Sequence, residues 1–517
     1  MTLHTNRMHR VALGLVAAVT LATACDFSVT NPGPVQDKFL NDPTARAALT
    51  TGARRLLGDA MGLGEVEYWG AAMDYEINPA GSTGSYGIPT YIYSGTFHAL
   101  DNENWDDIQQ ARWMAEDAIR RFADEGATPD SLDAVAYLWA GYANRTLGEN
   151  FCNVTFDGGP SMPSTAAFAR ADSQFTQAMS IASSNGLDGL VTAAHAGRAS
   201  VLADLATYNG NDAATWAAAV AQANAVADNT FKWNLIYSGD DQNQYNYLYW
   251  ARGDSPYRAH TEWSTWYENY YRQTGDPRVQ NDVVPLATSA TSGATAAGVT
   301  SIPVAAVTDL KLAASSWVAV GSGTTQEVMH LSAADSSGNT LTFTEALVYA
   351  HASGEPVSDI QLGDAAVDKF GGRVPFMPEE KYNTEASPIT LSSGWEMRLI
   401  EAEAALVAGD YNTAATIMNV RRTALGLPDL TPANLTEGWT DLKAERGYEF
   451  WLEARRMGDL RRWLAAGDPG TTYDGVWQDT NRDGVPEQIE SMTSPTQRDM
   501  CFPIGQIETQ TNPNLNP

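Results

Sequence analysis

The chain has 517 residues, with 62 acidic against 32 basic side chains and a formal net charge of −30 at pH 7. That balance excludes nucleic acid and anionic lipid bound through basic patches, and leaves neutral polymers or a cation-bearing partner. The length is ample for one large domain or two lobes.

Residues 1–24 read as an export signal: Arg7, His9 and Arg10, an apolar run from Val11 to Val19, then Ala22, Thr23 and Ala24 before Cys25. The run is too short to span a bilayer as a mature helix. Leu21 lies four residues before the cysteine, where a lipobox has three. Cleavage after Ala24 by an ordinary signal peptidase is thus the competing reading, and lipidation of Cys25 the expected one. No later apolar segment is long enough to cross a membrane, so the mature chain is expected to be a body on a tether. Two cysteines remain, Cys152 and Cys501. Outside the cytoplasm a pair that meets is usually oxidised, which predicts a disulfide from the C-terminal tail to the N-terminal helical half. Two separate buried thiols are the alternative.

Residues 26–65 begin extended and become helical from Thr44 to about Met61. Residues 66–103 are rich in Gly, Tyr and Asn without a period, so a long loop is expected, and loops of that length are usually functional. Helices are expected over Asn104–Gly126, Ser131–Leu147, Ser164–Ser184, Leu190–Tyr208 and Ala213–Asp228. Helix, Gly-Asn turn and Ala-rich helix recur, giving about four αα units that stack on a shared core. Aromatics are dense from Phe231 to Arg278, and Asp276-Pro277-Arg278 reads as a helix-ending turn. Residues 284–358 shift to Ala, Ser, Thr and Val with alternating or β-branched runs. They predict a small inserted β-module with a hairpin turn at Ser336–Asn339. Its role is open between accessory binding surface, spacer, partner contact and surface decoration.

From Ser393 to Leu464 an apolar face at Met397, Ile400, Ala404, Val407 and Ala408 is broken by Gly409. Asp410 caps the next helix, which carries Ala414, Ala415, Met418 and Val420. Beyond it Arg446, Glu449, Glu453, Arg455, Arg456, Asp459, Arg461 and Arg462 crowd around Tyr448, Phe450, Trp451, Leu452, Leu460 and Trp463. Such charge among large apolar groups predicts buried ion pairs. The sequence AEAALVAGDYNTAATIMNVRRTALGLP, then LKAERGYEFWLEARRMGDLRRW and the ending FPIGQIETQTNPNLNP, resembles the C-terminal signature of the RagB/SusD family. Thr30-Asn31-Pro32 resembles that family's mature N-terminus, and YLWAGYANRTLGEN resembles a tetratricopeptide repeat. The resemblance implies a mostly α fold, a tetratricopeptide-like αα-repeat scaffold over residues 25–517 with long irregular aromatic-rich loops. It also implies a surface lipoprotein of the outer membrane that captures glycan for a SusC-like TonB-dependent transporter. A peptide-capturing member of the same family and a tetratricopeptide-type assembly lipoprotein are the alternatives.

Asp479 to Glu490 fits a twelve-residue calcium loop, with Asp479, Asn481, Asp483, the Val485 carbonyl and Glu490 as ligands and Gly484 for the sharp turn. An acidic surface turn is the competing reading. Sugar recognition needs flat apolar faces with amides and carboxylates around them. Two stretches combine these. The candidates are Trp69, Asp74, Tyr75, Asn78, Tyr86 and Tyr91 from the first, and Asp241, Tyr245, Asn246, Tyr247, Tyr249 and Trp250 from the second. Trp263, Trp266, Tyr267, Tyr270 and Tyr271 fall at helical spacing and are expected in the core. No nucleophile elbow, zinc-protease, phosphate-loop or dinucleotide motif is present, a glycosidase carboxylate pair stays open because spatial separation defines it, and the family resemblance makes a binding protein the expectation, not an enzyme.

Overall fold

The computed structural model describes residues 37–62, 66–81, 103–252, 258–313, 316–367, 371–480, 485–491 and 499–515. The chain divides into two compact units, residues 1–46 and 47–517. The described part of the first holds two 3-10 turns, Asp37–Asn41 and Pro43–Ala45, with Asp42 capping the second. Cys25 lies outside the described residues.

The second unit is built on helices. They are α1 (Arg46–Met61), α2 (Val66–Met73), α3 (Glu103–Asp124), α4 (Ser131–Asn150), α5 (Thr165–Ser184), α6 (Asp188–Tyr208), α7 (Ala213–Asn224), α8 (Tyr247–Arg252), α9 (Trp266–Thr274), α10 (Gly394–Val407), α11 (Tyr411–Ala424), α12 (Leu435–Glu449), α13 (Arg456–Ala466) and α14 (Gln506–Thr511). Several begin at residues whose side chains accept from the first turn: Asp130, Asp212, Ser393, Asp410 and Asn434. The Asp130 and Ser393 caps are reciprocal, through Asp133 and Glu396. Gly409, at φ 85°, makes the tight turn expected between α10 and α11.

Helices α3 to α7 pack each on the next, α7 packs on α10, and α10 packs on α11 and α12. The N-terminal and C-terminal αα units therefore form one helical array, the expected fold class. Small residues let the helices approach. An added Cβ on Gly141 of α4 would stand 2.7 Å from the Phe175 ring of α5. Gly141→Ala is thus expected to overpack this contact and cost about 1–3 kcal/mol, read as a lower urea midpoint at unchanged slope.

The 66–103 stretch departs from its expectation. Its start is α2, an eight-residue helix buried on every side, and residues 82–102 lie outside the described residues. A short helix buried on every side carries no amphipathic period, so its sequence looks like loop.

Between α9 and α10 lies an antiparallel sheet of order β6-β11-β8-β9-β10-β7. Its strands are β6 (Pro285–Ala290), β7 (Ser301–Pro303), β8 (Trp317–Val320), β9 (Glu327–Asp335), β10 (Thr340–Phe343) and β11 (Pro356–Ile360). Ser336–Asn339 joins β9 to β10. A Thr291–Val304 bridge links the two edges, curling the sheet toward closure around Val318, Val320, Met329, Leu331, Leu341 and Phe343. Two-stranded pairs complete the fold: β1 (Asn78–Pro79) with β5 (His260–Thr261), β2 (Asn153–Val154) with β3 (Met162–Pro163), β4 (Lys232–Leu235) with β12 (Ile389–Ser393), and β13 (Val476–Gln478) with β14 (Glu487–Glu490).

Cys152 and Cys501 form the expected disulfide, with Cα atoms 5.0 Å apart. Beside it the Cys152 N–H donates to the Phe502 carbonyl and the Phe502 N–H to the Asn150 carbonyl. The tail is thereby tied to the end of α4. Among the described residues no helix is long and apolar enough to cross a membrane.

Candidate functional site

The described candidates of the two aromatic stretches go mainly into the core. Trp69 is 6% exposed, on α2. Tyr75 is buried at φ 64°, and its hydroxyl donates to the Glu490 carboxylate. Asn78 is fully buried and donates to the Trp263 carbonyl at 2.9 Å. Asp74 is buried, accepts from the Glu76 N–H at 3.2 Å, and is pushed up to about 8 chiefly by its burial. Tyr86 and Tyr91 lie outside the described residues.

In the second stretch Asp241 caps a 3-10 turn, accepting from the Asn243 N–H at 3.1 Å and from Gln244 Nε2 at 2.9 Å. Asn246 is fully buried, accepts from the Leu248 N–H at 3.1 Å and donates to the Ser387 carbonyl at 3.0 Å, fixing the start of α8. Tyr247 and Tyr249 are buried on that helix, with the Trp250 ring tilted against that of Tyr247 at 5.3 Å and Tyr245 half-buried before it. These polar groups satisfy local backbone, and the rings fill the body. None of the described candidates from these two stretches lines the cleft described next.

The calcium loop is a β-hairpin. Asp479 is half-buried at the end of β13, Val485 is exposed, and Asn481, Asp483 and Gly484 lie outside the described residues. Glu490 stands opposite Val476, three residues down β14 from Glu487. Its carboxylate accepts from the Tyr75 hydroxyl. Glu487 accepts from the Thr480 N–H and hydroxyl at 2.8 Å each. No group of three or more His, Cys, Asp or Glu side chains stands placed for a metal among the described residues.

A cleft of about 660 Å³ opens where three separate parts of the chain meet. The loop before α9 and α9 itself supply Trp263, Ser264, Glu268, Asn269 and Arg272. The β-module supplies Trp317, Glu327, Val328, Met329, Glu345, Val348 and Tyr349. The hairpin supplies Trp477, Gln478, Asp479 and Thr480. Trp263 and Trp317 meet edge to face, centroids 5.4 Å apart and planes at 67°, so the two indoles form a corner. On the module side His330 backs the Trp317 ring at 4.9 Å. Trp477 is steered by its Nε1 donating to the Asp474 carbonyl at 2.9 Å, and Trp266 packs against it at 4.8 Å.

The walls are tied together. Ser264, at φ 66°, donates its hydroxyl to the Trp477 carbonyl at 2.9 Å, while its own carbonyl accepts the Trp477 N–H at 3.1 Å. A non-glycine residue held in the left-handed region costs of order 1–3 kcal/mol, and such outliers concentrate at functional sites. Arg272 donates to Asn269 at 2.6 Å and to the Gln326 carbonyl at 3.3 Å, bracing α9 to the module. Buried Glu327 accepts from the Val348 and Tyr349 N–H groups at 2.6 and 2.9 Å and contacts His351 Nε2 at 3.1 Å. That carboxylate fixes the turn presenting Tyr349.

Sequence reasoning therefore missed this site. Of the aromatics expected in the core, Tyr267 and Tyr270 are buried there, Trp266 and Tyr271 pack against it partly buried, and Trp263, which precedes the helix, packs partly buried against Ala80, Val367 and Val374. Trp317 carried a signal: a tryptophan in a module otherwise almost without one.

Residues 381–517 match the SusD family. Over most of its length the chain superposes on solved structures. One is a surface glycan-binding protein A from Bacteroides uniformis, at 14% identity, TM-score 0.53, covering 91% of this chain and 98% of that one. A second is a SusD-like carbohydrate binding protein from Bacteroides vulgatus, at 12% identity, TM-score 0.53, covering 91% and 97%. A third, a structure with xylogluco-oligosaccharide, gives 14% identity, TM-score 0.52 and coverage of 91% and 98%. Likeness at these identities is likeness of fold. No curated protein matches the chain in sequence.

Proposed function

Taking the chain as a member of the SusD/RagB family, whose signature occupies residues 381–517, we propose that it is a glycan-binding protein whose ligand lies in the cleft between α9, the β-module and the β13–β14 hairpin. The observation that carries this reading is the corner of Trp263 and Trp317 beside Trp477, with Glu268, Glu345 and Asp479 around it. Indole faces take the C–H side of a sugar ring, and carboxylates accept from its hydroxyls. Solved structures of the same fold that are named for glycan or carbohydrate binding, or contain an oligosaccharide, support it. The reading is capture without turnover. Cys25 would carry the lipid anchor, and a TonB-dependent transporter of the outer membrane would receive the ligand. Co-purification of a large β-barrel in mild detergent tests that last part.

The ligand test is affinity electrophoresis through gels containing xyloglucan, mixed-linkage β-glucan, galactomannan or arabinoxylan. At least one is expected to retard the wild type. Trp317→Ala, on the module surface, is expected to weaken that retardation about thirtyfold, the equivalent of about 2 kcal/mol for a central aromatic contact. Unchanged retardation with Trp317→Ala and Trp263→Ala would move the site elsewhere.

A further inference from the structure

We infer that Tyr349 is a sugar-stacking ring of this cleft and that the inserted β-module is its recognition arm, with Glu327 and His351 as positioning residues. The inference rests on the glycan-binding reading above and deepens it, adding a contact that the tryptophans do not supply. The module brings two aromatic side chains to the cleft, Trp317 on β8 and Tyr349 on the segment between β10 and β11. Tyr349 is half-buried. Among the described residues its ring meets no other ring, and its hydroxyl has no hydrogen-bond partner. Trp477, by contrast, is buried and packed against Trp266 and Tyr473. An unpartnered tyrosine in a cleft wall offers an apolar face and a polar tip, which suits a ring of C–H groups edged with hydroxyls.

Such a ring favours binding only where its backbone is already ordered, because ordering a loose loop costs affinity. Here the backbone is held from several sides. The Leu347 N–H donates to the Val299 carbonyl and the Gly298 N–H to the Leu347 carbonyl, at 2.8 Å each. Four residues on, Thr295 and His351 exchange both backbone bonds, at 2.8 and 3.0 Å. Between these anchors Glu327 accepts from the Val348 and Tyr349 N–H groups. Buried His351 bridges Glu327 and Glu355 through its two ring nitrogens, at 3.1 and 2.8 Å. Glu355 also accepts from the Ala352 N–H at 2.9 Å, and its own N–H donates to the Thr291 hydroxyl at 3.0 Å. Gly321, at φ 82°, passes so close to the imidazole that an added Cβ would stand 2.7 Å from Cε1. A buried carboxylate is tolerated where hydrogen bonds replace its water, and the turn that carries Tyr349 supplies two of them to Glu327. Trp317 and Glu327 belong to one unbroken register, Trp317 opposite His330 and Glu327 opposite Val320. The two rings are therefore rooted in the same pair of strands, and a glycan lying across them meets a preformed surface.

The test runs the full mature chain in native gels carrying xyloglucan, mixed-linkage β-glucan, galactomannan or arabinoxylan. Tyr349→Ala is expected to weaken retardation about tenfold at an unchanged urea midpoint. Tyr349→Phe keeps the ring and is expected to stay within about threefold of the wild type, the worth of one hydroxyl hydrogen bond. Glu327→Gln keeps the shape but turns one acceptor into a donor facing the turn or the imidazole. It is expected to weaken retardation about fivefold alone, and less than about twofold when added to Tyr349→Ala, because it acts through that ring. Losses that multiply in the pair overturn the positioning role. Where Glu327→Gln fails to fold, His351→Gln takes its place in the same pair with the same two outcomes. Unchanged retardation in Tyr349→Ala, with a loss in Trp317→Ala, overturns the inference and leaves the glycan-binding reading intact. Equal losses in Tyr349→Phe and Tyr349→Ala overturn the stacking role. Retardation of the wild type by no polymer overturns both readings.

Discussion

Replacing Arg462 with alanine is expected to destabilise the protein by about 3–5 kcal/mol, the cost of leaving buried charge without its partner. Arg462 is 1% exposed on α13. Its guanidinium pairs with Glu403 of α10 at 2.8 Å, with Asp459 one turn back at 2.9 Å and with Asp204 of α6 at 3.2 Å, and it donates to the Thr207 hydroxyl at 3.1 Å. Glu403 is itself fully buried and also accepts from Trp463 Nε1 at 2.7 Å. Burial alone would raise the Asp459 carboxyl, but Arg446 and Arg462 outweigh it and hold that group well below the usual carboxylate range. Asp204, chiefly through burial, is instead pushed up to about 7 even with Arg462 beside it. Without the guanidinium, three carboxylates on three helices lose their shared counter-charge in a dry interior. The readout is the urea midpoint at pH 7, with Trp317→Ala on the exposed module as the comparison. A loss below about 1 kcal/mol would show that water reaches this network. Arg455→Ala is expected to follow the same course, because Arg455 pairs with Glu396 at 2.8 Å and Glu149 at 3.0 Å and donates to Ser200 at 2.8 Å.

That network is where the sequence was most legible. Charges at Arg446, Arg455, Asp459 and Arg462 set among Phe450, Trp451 and Trp463 admit one physical solution, which is mutual pairing, and the structure pairs them. The helical array was legible for a related reason. Alanine-rich faces with capping residues and Gly-Asp turns define helices locally, and the stacking follows from the faces. Asp276-Pro277-Arg278 was legible only in part. Its Asp276 does start a turn after the left-handed Gly275, but Arg278 also reaches Glu445 at 2.8 Å and Glu449 at 3.3 Å on α12, a contact across 167 and 171 positions.

The candidate site was not legible, for two physical reasons. Aromatic density does not distinguish a wall from a core: Tyr249 and Trp317 look alike until tertiary packing buries one and leaves the other at an edge. The site is also assembled from residues near positions 264, 317, 349 and 477, brought together by strand pairing across long loops that no local period reports.

Buried carboxyls without counter-charge make the opposite prediction from the α13 network, and Glu262→Gln isolates it. Glu262 is fully buried between β5 and α9, and neither carboxylate oxygen meets a donor among the described residues. Burial, with Glu379, Glu76 and Glu268 nearby, pushes its carboxyl well above the ordinary range. Glu76 and Glu67 are raised likewise, chiefly by burial. A folded-state value above the unfolded one, about 4.3, means that this stability is fully present below pH 4.3 and is lost as pH rises toward the folded value. The loss runs at about 1.4 kcal/mol per pH unit for each such group. Glutamine matches the shape of the neutral acid and cannot ionise. The variant and wild type should therefore unfold at nearly the same urea concentration at pH 4.5, and the variant should gain on the wild type as pH rises from there toward the folded-state value. Asp459 and Glu396, held low by their arginines, act in the other direction, losing their contribution as pH falls through the acid range in both proteins equally. The difference between the two proteins thus reports Glu262 alone. A gap that stays constant from pH 5 to 8 would mean that Glu262 is ionised in the folded state, and that a cation stands against it.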